Sequence, residues 1–232
     1  MQLFFQPNIE KKHFLSEEDS RHCVKVLRKI EKDLIHIVDG KGGLFECEIL
    51  KNDAKKTEFK ILNSTQNFGK KDFYLHIAIA PTKNSDRLEW FVEKAVEIGI
   101  DEISLIETQH SERRFQKIDR LEKIAIGAMK QSLKAYLPKI NEMISLEKFL
   151  KNVSAEQKFI AHLLDGAKLL QTQLKPKSNV CILIGPEGDF SETEIKLSHS
   201  ADFQVVMLGN SRLRTETAAL VATTITNFLN CF

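Results

Sequence analysis

The sequence predicts an α/β protein in two parts: a small, β-rich N-terminal unit and a larger domain built on a parallel sheet with helices on both faces. Three observations carry this. From about residue 74 onward, short aliphatic runs alternate with stretches whose apolar residues recur at i, i+3 and i+4, the pattern of βαβ units. Two late runs, Val180-Cys181-Ile182-Leu183-Ile184 and Phe203-Gln204-Val205-Val206-Met207-Leu208, each break into a glycine turn, as strands buried on both faces do. Ahead of residue 63 the runs are instead joined by a glycine-rich hairpin signal, and only one helical stretch interrupts them.

In chain order, Ser16-Glu17-Glu18-Asp19 supplies an N-cap with acidic residues in the first turn. Cys23, Val26, Leu27 and Ile30 follow at helical spacing and predict one apolar face. Residues 34–38 and 44–50 flank Asp39-Gly40-Lys41-Gly42-Gly43 and predict a hairpin; residues 55–62 predict a further strand. Residues 63–72 are polar and strand-breaking, which predicts a division into domains 1–68 and 73–232. Beyond it, residues 74–80 read as a strand, and Lys83-Asn84-Ser85-Asp86-Arg87 leads into a helix with Leu88, Phe91, Val92, Ala95 and Val96 on one face, ending at Gly99. Residues 102–106 form the next strand. A helix from about Ile118 places Leu121, Ile124, Ala125, Ala128, Met129 and Ser132 on one side, and Pro138 forbids its continuation. Residues 159–164 read as a strand. The last helix, 215–229, is apolar nearly all round at Ala218-Ala219-Leu220-Val221-Ala222, so it needs cover on more than one side. Threaded chains are nearly absent among proteins, so the alternation alone predicts an unknotted doubly wound sheet.

Bulk properties narrow the function. A chain of 232 residues can bury a sizeable core, and a formal charge of +2 means that any contact with nucleic acid is local. The N-terminus has no basic region followed by a long apolar one, and no run approaches a membrane span, so a soluble cytoplasmic protein without membrane contact is expected. Cys23, Cys47, Cys181 and Cys231 are far apart and form no CxxC pair; no histidines share ligand spacing, and no metal is assigned.

The chemistry points to the two glycine turns. Gly185-Pro186-Glu187-Gly188 and Gly209-Asn210-Ser211-Arg212 follow consecutive strands, and in open α/β sheets ligands sit where such strand ends meet glycine-rich loops. Neither GxGxxG nor GxxxxGK[ST] is present, which removes the common dinucleotide and P-loop readings. A small polar or heterocyclic ligand held mainly by backbone remains.

These residues also carry a resemblance. Gly185-Pro186-Glu187-Gly188 with Phe190-Ser191-x-x-Glu194, then Leu208-Gly209 and Leu213-Arg214-Thr215-Glu216-Thr217-Ala218, resemble the 16S ribosomal RNA uridine N3-methyltransferases of the SPOUT superfamily; His22-x-x-x-Val26-Leu27-Arg28 resembles the N-terminal signature of the same family. The resemblance implies an α/β SPOUT-type fold with a C-terminal trefoil knot, in place of the unknotted sheet, plus a small N-terminal β-rich PUA-like barrel that contacts RNA. It implies S-adenosylmethionine as cofactor, 16S ribosomal RNA or the small ribosomal subunit as partner, and a homodimer. By that resemblance Leu163, Leu183, Gly185, Pro186, Glu187, Gly188, Leu208, Gly209, Leu213, Thr215 and Ala218 surround the cofactor, with the three glycines placed where a side chain would collide with it. Arg214 would stabilise the uracil anion and Glu216 would orient that arginine or accept a proton; the same pair would also serve as an ordinary cap and ion pair at a helix start.

RNA contacts are expected from Arg21, His22, Lys25 and Arg28 on the first helix, and from Lys83, Arg87, Arg113, Arg114, Lys130 and Lys134 at loop ends and helix starts. Three positions depart from the family pattern: Lys130-Gln131-Ser132-Leu133-Lys134 replaces Glu-Gln-Ser-x-Arg, Asp189 replaces a frequent glycine, and Arg212 stands where an aliphatic residue is usual. Rival expectations are a SPOUT enzyme acting on a ribose 2'-oxygen or another base, and a noncatalytic RNA-binding assembly protein.

Overall fold

A computed structural model describes residues 1–164 and 166–230, so Cys231 lies outside the described residues. The chain divides into two compact units, Met1–Lys70 with Ile126–Leu137, and Lys71–Ala125 with Pro138–Phe232. No single cut between residues 68 and 73 reproduces that division, because residues 126–137 return to the first unit.

The first unit holds strand β1 (Leu3–Phe5), helix α1 (Glu17–Arg21) and strands β2 (Leu34–Val38), β3 (Leu44–Lys51) and β4 (Glu58–Thr65). They form one four-stranded sheet in the order β1-β2-β3-β4, with β1 parallel to β2 and the other pairs antiparallel. The hairpin turn is set by Asp39, whose carboxylate accepts hydrogen bonds from the amides of Lys41 (2.7 Å) and Gly43 (2.9 Å). Phe4, Ile9, Leu15, Cys23, Ile35, Ile37, Phe45, Cys47, Ile49 and Phe59 make its core. β4 runs three residues past the predicted strand, through Asn63-Ser64-Thr65, because pairing with β3 satisfies that backbone whatever its side chains.

The first helix departs from expectation. The α-helix stops at Arg21 and passes into a π-helical turn over His22–Val26, after which Arg28 adopts φ 54°. Bonding from i to i+5 widens the turn, so residues at i+3 and i+4 no longer share a face. Cys23 is buried as predicted, but Val26 and Ile30 are 65% and 62% exposed.

The second unit contains β5 (Tyr74–Ile79), α2 (Ser85–Ile98), β6 (Glu102–Glu107), the start of α3 (Asp119–Gln131), β7 (Lys139–Ser145), α4 (Leu146–Asn152), β8 (Gln157–Ala161), β9 (Lys168–Leu169), α5 (Leu170–Gln173), β10 (Asn179–Ile184), α6 (Glu192–Ser200), β11 (Gln204–Met207) and α7 (Thr215–Asn230). Its sheet has the order β7-β6-β5-β10-β8-β11-β9, and every neighbouring pair is parallel. Side chains alternate across β10. Cys181 and Leu183 pack with Leu146, Phe149 and Leu150 of α4, while Ile182 and Ile184 point to the opposite face, where α7 lies against β5 and β10. The helix α2 ends at Gly99 as predicted, with φ 133°, and at its start Asn84 caps it by accepting from the amide of Asp86. β8 ends at Ala161, three residues short of expectation, leaving Leu163 and Leu164 exposed at 51% and 49%.

In α7 the aliphatic residues are on the outside. Its buried side is small and polar, with Ala219, Ala222, Thr223, Thr226 and Asn227, and the Thr223 and Thr226 hydroxyls donate to carbonyls one turn back at 2.8 and 2.9 Å. Leu220, Val221, Ile225 and Leu229 remain half-buried.

Candidate active site

The carboxyl ends of β8, β10 and β11 open onto one cavity of about 660 Å³ in the second unit. Both glycine turns line it, through Gly185, Pro186 and Glu187 on one side and Leu208, Gly209, Leu213, Arg214, Thr215 and Ala218 on the other; Leu163 contributes from the segment after β8. Two hydrogen bonds couple the turns. The Thr215 hydroxyl, at the start of α7, donates to the Gly185 carbonyl at 3.0 Å, and the Arg212 guanidinium reaches the Glu187 carbonyl at 3.5 Å. The first backbone bond of α7 runs from the Ala218 amide to the Arg214 carbonyl at 2.8 Å, so Arg214 stands at the helix entrance.

The glycines do different things. Gly209 has φ 150° and nothing within 4 Å of the position a Cβ would take, so its main chain borders open space. A Cβ on Gly185 would meet the Phe190 ring at 3.1 Å, and one on Gly188 would meet the Cβ of His110 at 3.1 Å. At those two positions the protein's own packing crowds a side chain. Neither Gly188 nor Leu183 lines the cavity; Leu183 is fully buried beneath it in the core.

Glu216 is 7% exposed and pairs with Arg87 rather than Arg214, its Oε1 lying 3.8 Å from Arg87 Nε. Its Oε2 is buried without a hydrogen-bond partner among the described residues. Arg87 lines the cavity beside Arg214, whose guanidinium makes no hydrogen bond or ion pair among the described residues. Sequence reasoning missed His162 and the role of Asp189. Both line the cavity, and Asp189, at φ 62°, accepts a hydrogen bond from His162 Nδ1 at 2.8 Å. That bond leaves Nε2 of a neutral imidazole as an acceptor. The position of His162 directly after a parallel strand was the available signal.

The expected RNA contacts fall into separate settings. In the first unit Lys25 and Arg28 are exposed, Arg21 pairs with Glu17 at 2.9 Å, and His22 lies edge-on to Phe4. Lys130 is drawn inward, 2.8 Å from the buried Asp19 carboxylate, and Lys134 is half-buried. In the second unit Lys83 pairs with Glu112 at 2.8 Å and Arg114 sits 3.6 Å from Glu107. Arg113 is engaged by protein, donating to the carbonyls of Thr82 at 3.2 Å and Lys83 at 2.7 Å.

Comparison with known proteins places this geometry. The RNA methyltransferase domain family matches residues 70–227, and the RNA methyltransferase PUA domain family matches residues 15–62. The chain is similar to a probable rRNA-methyltransferase of Porphyromonas gingivalis at 40% identity, covering 100% of this chain and 99% of that one with a TM-score of 0.94. It is also similar to a ribosomal RNA small subunit methyltransferase E of Neisseria gonorrhoeae bound to S-adenosyl methionine, at 26% identity, 99% and 98% coverage and a TM-score of 0.88. The enzyme of that name from Buchnera aphidicola is 28% identical over 91% of this chain and 86% of its own length.

Proposed function

This chain belongs to the RNA methyltransferase family, and on that premise we propose that it transfers a methyl group from S-adenosylmethionine to N3 of a uridine in the 16S RNA of the small ribosomal subunit, in the cytoplasm. The observation that carries the reading is the joining of two main-chain bends around one cavity whose wall holds Arg87 and Arg214.

The residues present fit the cofactor. A cavity of about 660 Å³ lies within the range of small-molecule sites, and the uncrowded backbone at Gly209 gives a planar or branched ligand close approach to main chain. Gly185, Pro186, Glu187, Leu208, Gly209, Leu213, Thr215, Ala218 and Leu163 would hold it, with Leu183 and Gly188 shaping the turns from behind. Bound there, S-adenosylmethionine supplies a methyl carbon already activated by its sulfonium.

The chain's own residues then have two tasks, alignment and charge. N3 of uridine carries an imide proton, and its removal spreads negative charge over O2 and O4. Arg214, whose guanidinium has no hydrogen bond or ion pair among the described residues, opposes that charge. Glu216 holds Arg87 at the cavity wall and offers, in Oε2, an acceptor without a donor among the described residues.

Three finer features belong to the same reading. β10 enters the sheet between β5 and β8, and β11 between β8 and β9, an order in which the chain returns among its own earlier strands; this supports a C-terminal trefoil knot. The first unit's four-stranded sheet, with helix α1 beside it in the chain, supports a PUA-like unit that would hold RNA through exposed Lys25 and Arg28. The half-exposed Leu220, Val221, Ile225 and Leu229 of α7 form the seam of a homodimer.

The test is transfer of labelled methyl from S-adenosylmethionine to small subunits isolated from a strain lacking this protein, followed by nuclease digestion and mass spectrometry. N3-methyluridine is the expected product. A 2'-O-methylated nucleoside, another methylated base or an absence of transfer refutes the assignment.

A further inference from the structure

Phe115 is 70% exposed, and it sits on a segment fastened at both of its ends. Residues 108–116 have no regular secondary structure, yet their backbone is closely tied. The Thr108 amide and hydroxyl both bond the Ser111 hydroxyl, at 3.0 and 2.9 Å. The Gln109 amide donates to Glu194 of the α6 capping box at 2.8 Å, and His110 Nδ1 donates to the Asp189 carbonyl at 3.0 Å. Arg113 fixes the other end through the carbonyls of Thr82 and Lys83 and through Gln116 at 3.3 Å. The segment is thus a strap joining the loop that carries Gly185, Glu187 and Asp189, which lines the cavity, to the loop that leads into α2, whose Arg87 lines it too.

A large apolar ring held out from so well anchored a strap has no role in this unit's core. Water is a poor solvent for it, and a flat partner would remove the cost. Its neighbours favour an anionic partner: Lys117 is exposed two positions after the ring, Arg114 is 73% exposed at its side chain while lying 3.6 Å from Glu107, and Arg120, the second residue of α3, is 70% exposed at its side chain while its Nε lies 2.7 Å from Glu89. Aromatic faces interleaved with cations are the arrangement that binds unpaired nucleotides, through stacking on the base and attraction to the phosphate.

We propose that Phe115 is a stacking platform for an unpaired base of the RNA substrate, presented on a strap that registers the strand against the cavity. The inference rests on the RNA methyltransferase reading above and adds the element that positions the nucleotide. Arg113 is a positioning residue here: it holds the strap and leaves phosphate contact to Arg114.

The experiment uses the full chain with two RNA probes, a fluorescein-labelled single-stranded oligouridylate and unmethylated small subunits. Phe115→Ala should weaken oligouridylate binding about tenfold, within the range lost with one base–aromatic stack, and raise KM for the subunit by a similar factor. Calorimetric affinity for S-adenosylmethionine and the sedimentation coefficient should stay at wild-type values. Phe115→Tyr should restore binding, whereas Phe115→Leu, apolar but unable to stack, should not. Oligouridylate affinity of Phe115→Ala within twofold of wild type overturns the proposal, as does full rescue by Phe115→Leu. A changed sedimentation coefficient in Phe115→Ala would assign the ring to contact with a second copy and equally overturn it. If the wild-type chain neither binds RNA nor transfers methyl, the parent reading has failed instead.

Discussion

Thr215 is the residue whose replacement most directly tests whether the two glycine turns work as one site. Its hydroxyl donates to the Gly185 carbonyl at 3.0 Å, and Thr215 itself is 4% exposed. Thr215→Val keeps the branched shape and removes the donor. The loss of one such bond costs about 1 kcal/mol, the carbonyl being only partly able to recover a partner from water. For a chain of this size that lowers Tm by about 3 °C. If the bond also holds the cavity open in the form the cofactor requires, that form must be re-established on binding. The same ~1 kcal/mol then appears in Kd as about a fivefold weakening toward S-adenosylmethionine. Differential scanning calorimetry and titration calorimetry measure the two quantities separately, and Thr215→Ser, which retains the hydroxyl, should recover most of both. A Thr215→Val protein that melts about 3 °C lower but binds the cofactor as wild type does would show that the tie serves stability alone. Identical values for both would show that the two bends are independently built, and the argument for a shared site would fail.

Arg214→Ala should reduce turnover about 100-fold at nearly unchanged cofactor affinity, since the guanidinium is assigned to charge that develops during the reaction; turnover within a factor of three of wild type removes it from that role. Gly99→Ala should destabilise the fold by about 2 kcal/mol, because φ is 133° and the new Cβ would lie 2.7 Å from Asn227 Oδ1, a contact that also disturbs the bond from the Asn227 amide to the Gly99 carbonyl. A urea midpoint equal to wild type would contradict this. Burial holds the His76 imidazole below its ordinary pKa of 6.5, outweighing the upward pull of Glu102, and Lys139 adds to the lowering. The unfolded chain therefore takes up this proton more readily than the folded one. The stability at stake is fully present above about pH 6.5 and is lost as pH falls below it. Urea midpoints measured from pH 8 to 5.5 should decline in the wild type and decline less in His76→Gln; equal slopes would exclude His76 as the source.

Where one face of an element meets a packed neighbour, the sequence showed it plainly. In α2, Leu88, Phe91, Val92, Ala95 and Val96 are all buried, and the helix ends at Gly99 as expected. The hairpin at residues 39–43 was equally readable, because a short acidic side chain and glycines can satisfy that turn locally. The π-helical turn at His22–Val26 was not, since spacing rules presuppose the i to i+4 ladder. Short β9 and α5 escaped for another reason: at two and four residues they are shorter than any period that could reveal them.

The site divides along the same line. Turns that need glycine announce themselves, so Gly185 and Gly209 could be found by type alone, yet their reasons could not: Phe190 crowds one and open space borders the other. Pairing between distant side chains has no local trace. Glu216 was expected beside Arg214, two positions away, but a residue and its second neighbour on a helix do not face each other, and the partner proved to be Arg87 on a different element. Lys130 and Arg113 show the same effect from the other side. Each is expected from the sequence to contact RNA, but one meets a buried carboxylate and the other the carbonyls of a neighbouring loop. Basic residues in this chain are therefore a poor guide to where RNA sits until those committed to the protein are subtracted. At residues 114–120 that subtraction takes in Arg114, 3.6 Å from Glu107, and Arg120, 2.7 Å from Glu89, so the preference for an unpaired strand rests first on the exposed ring of Phe115.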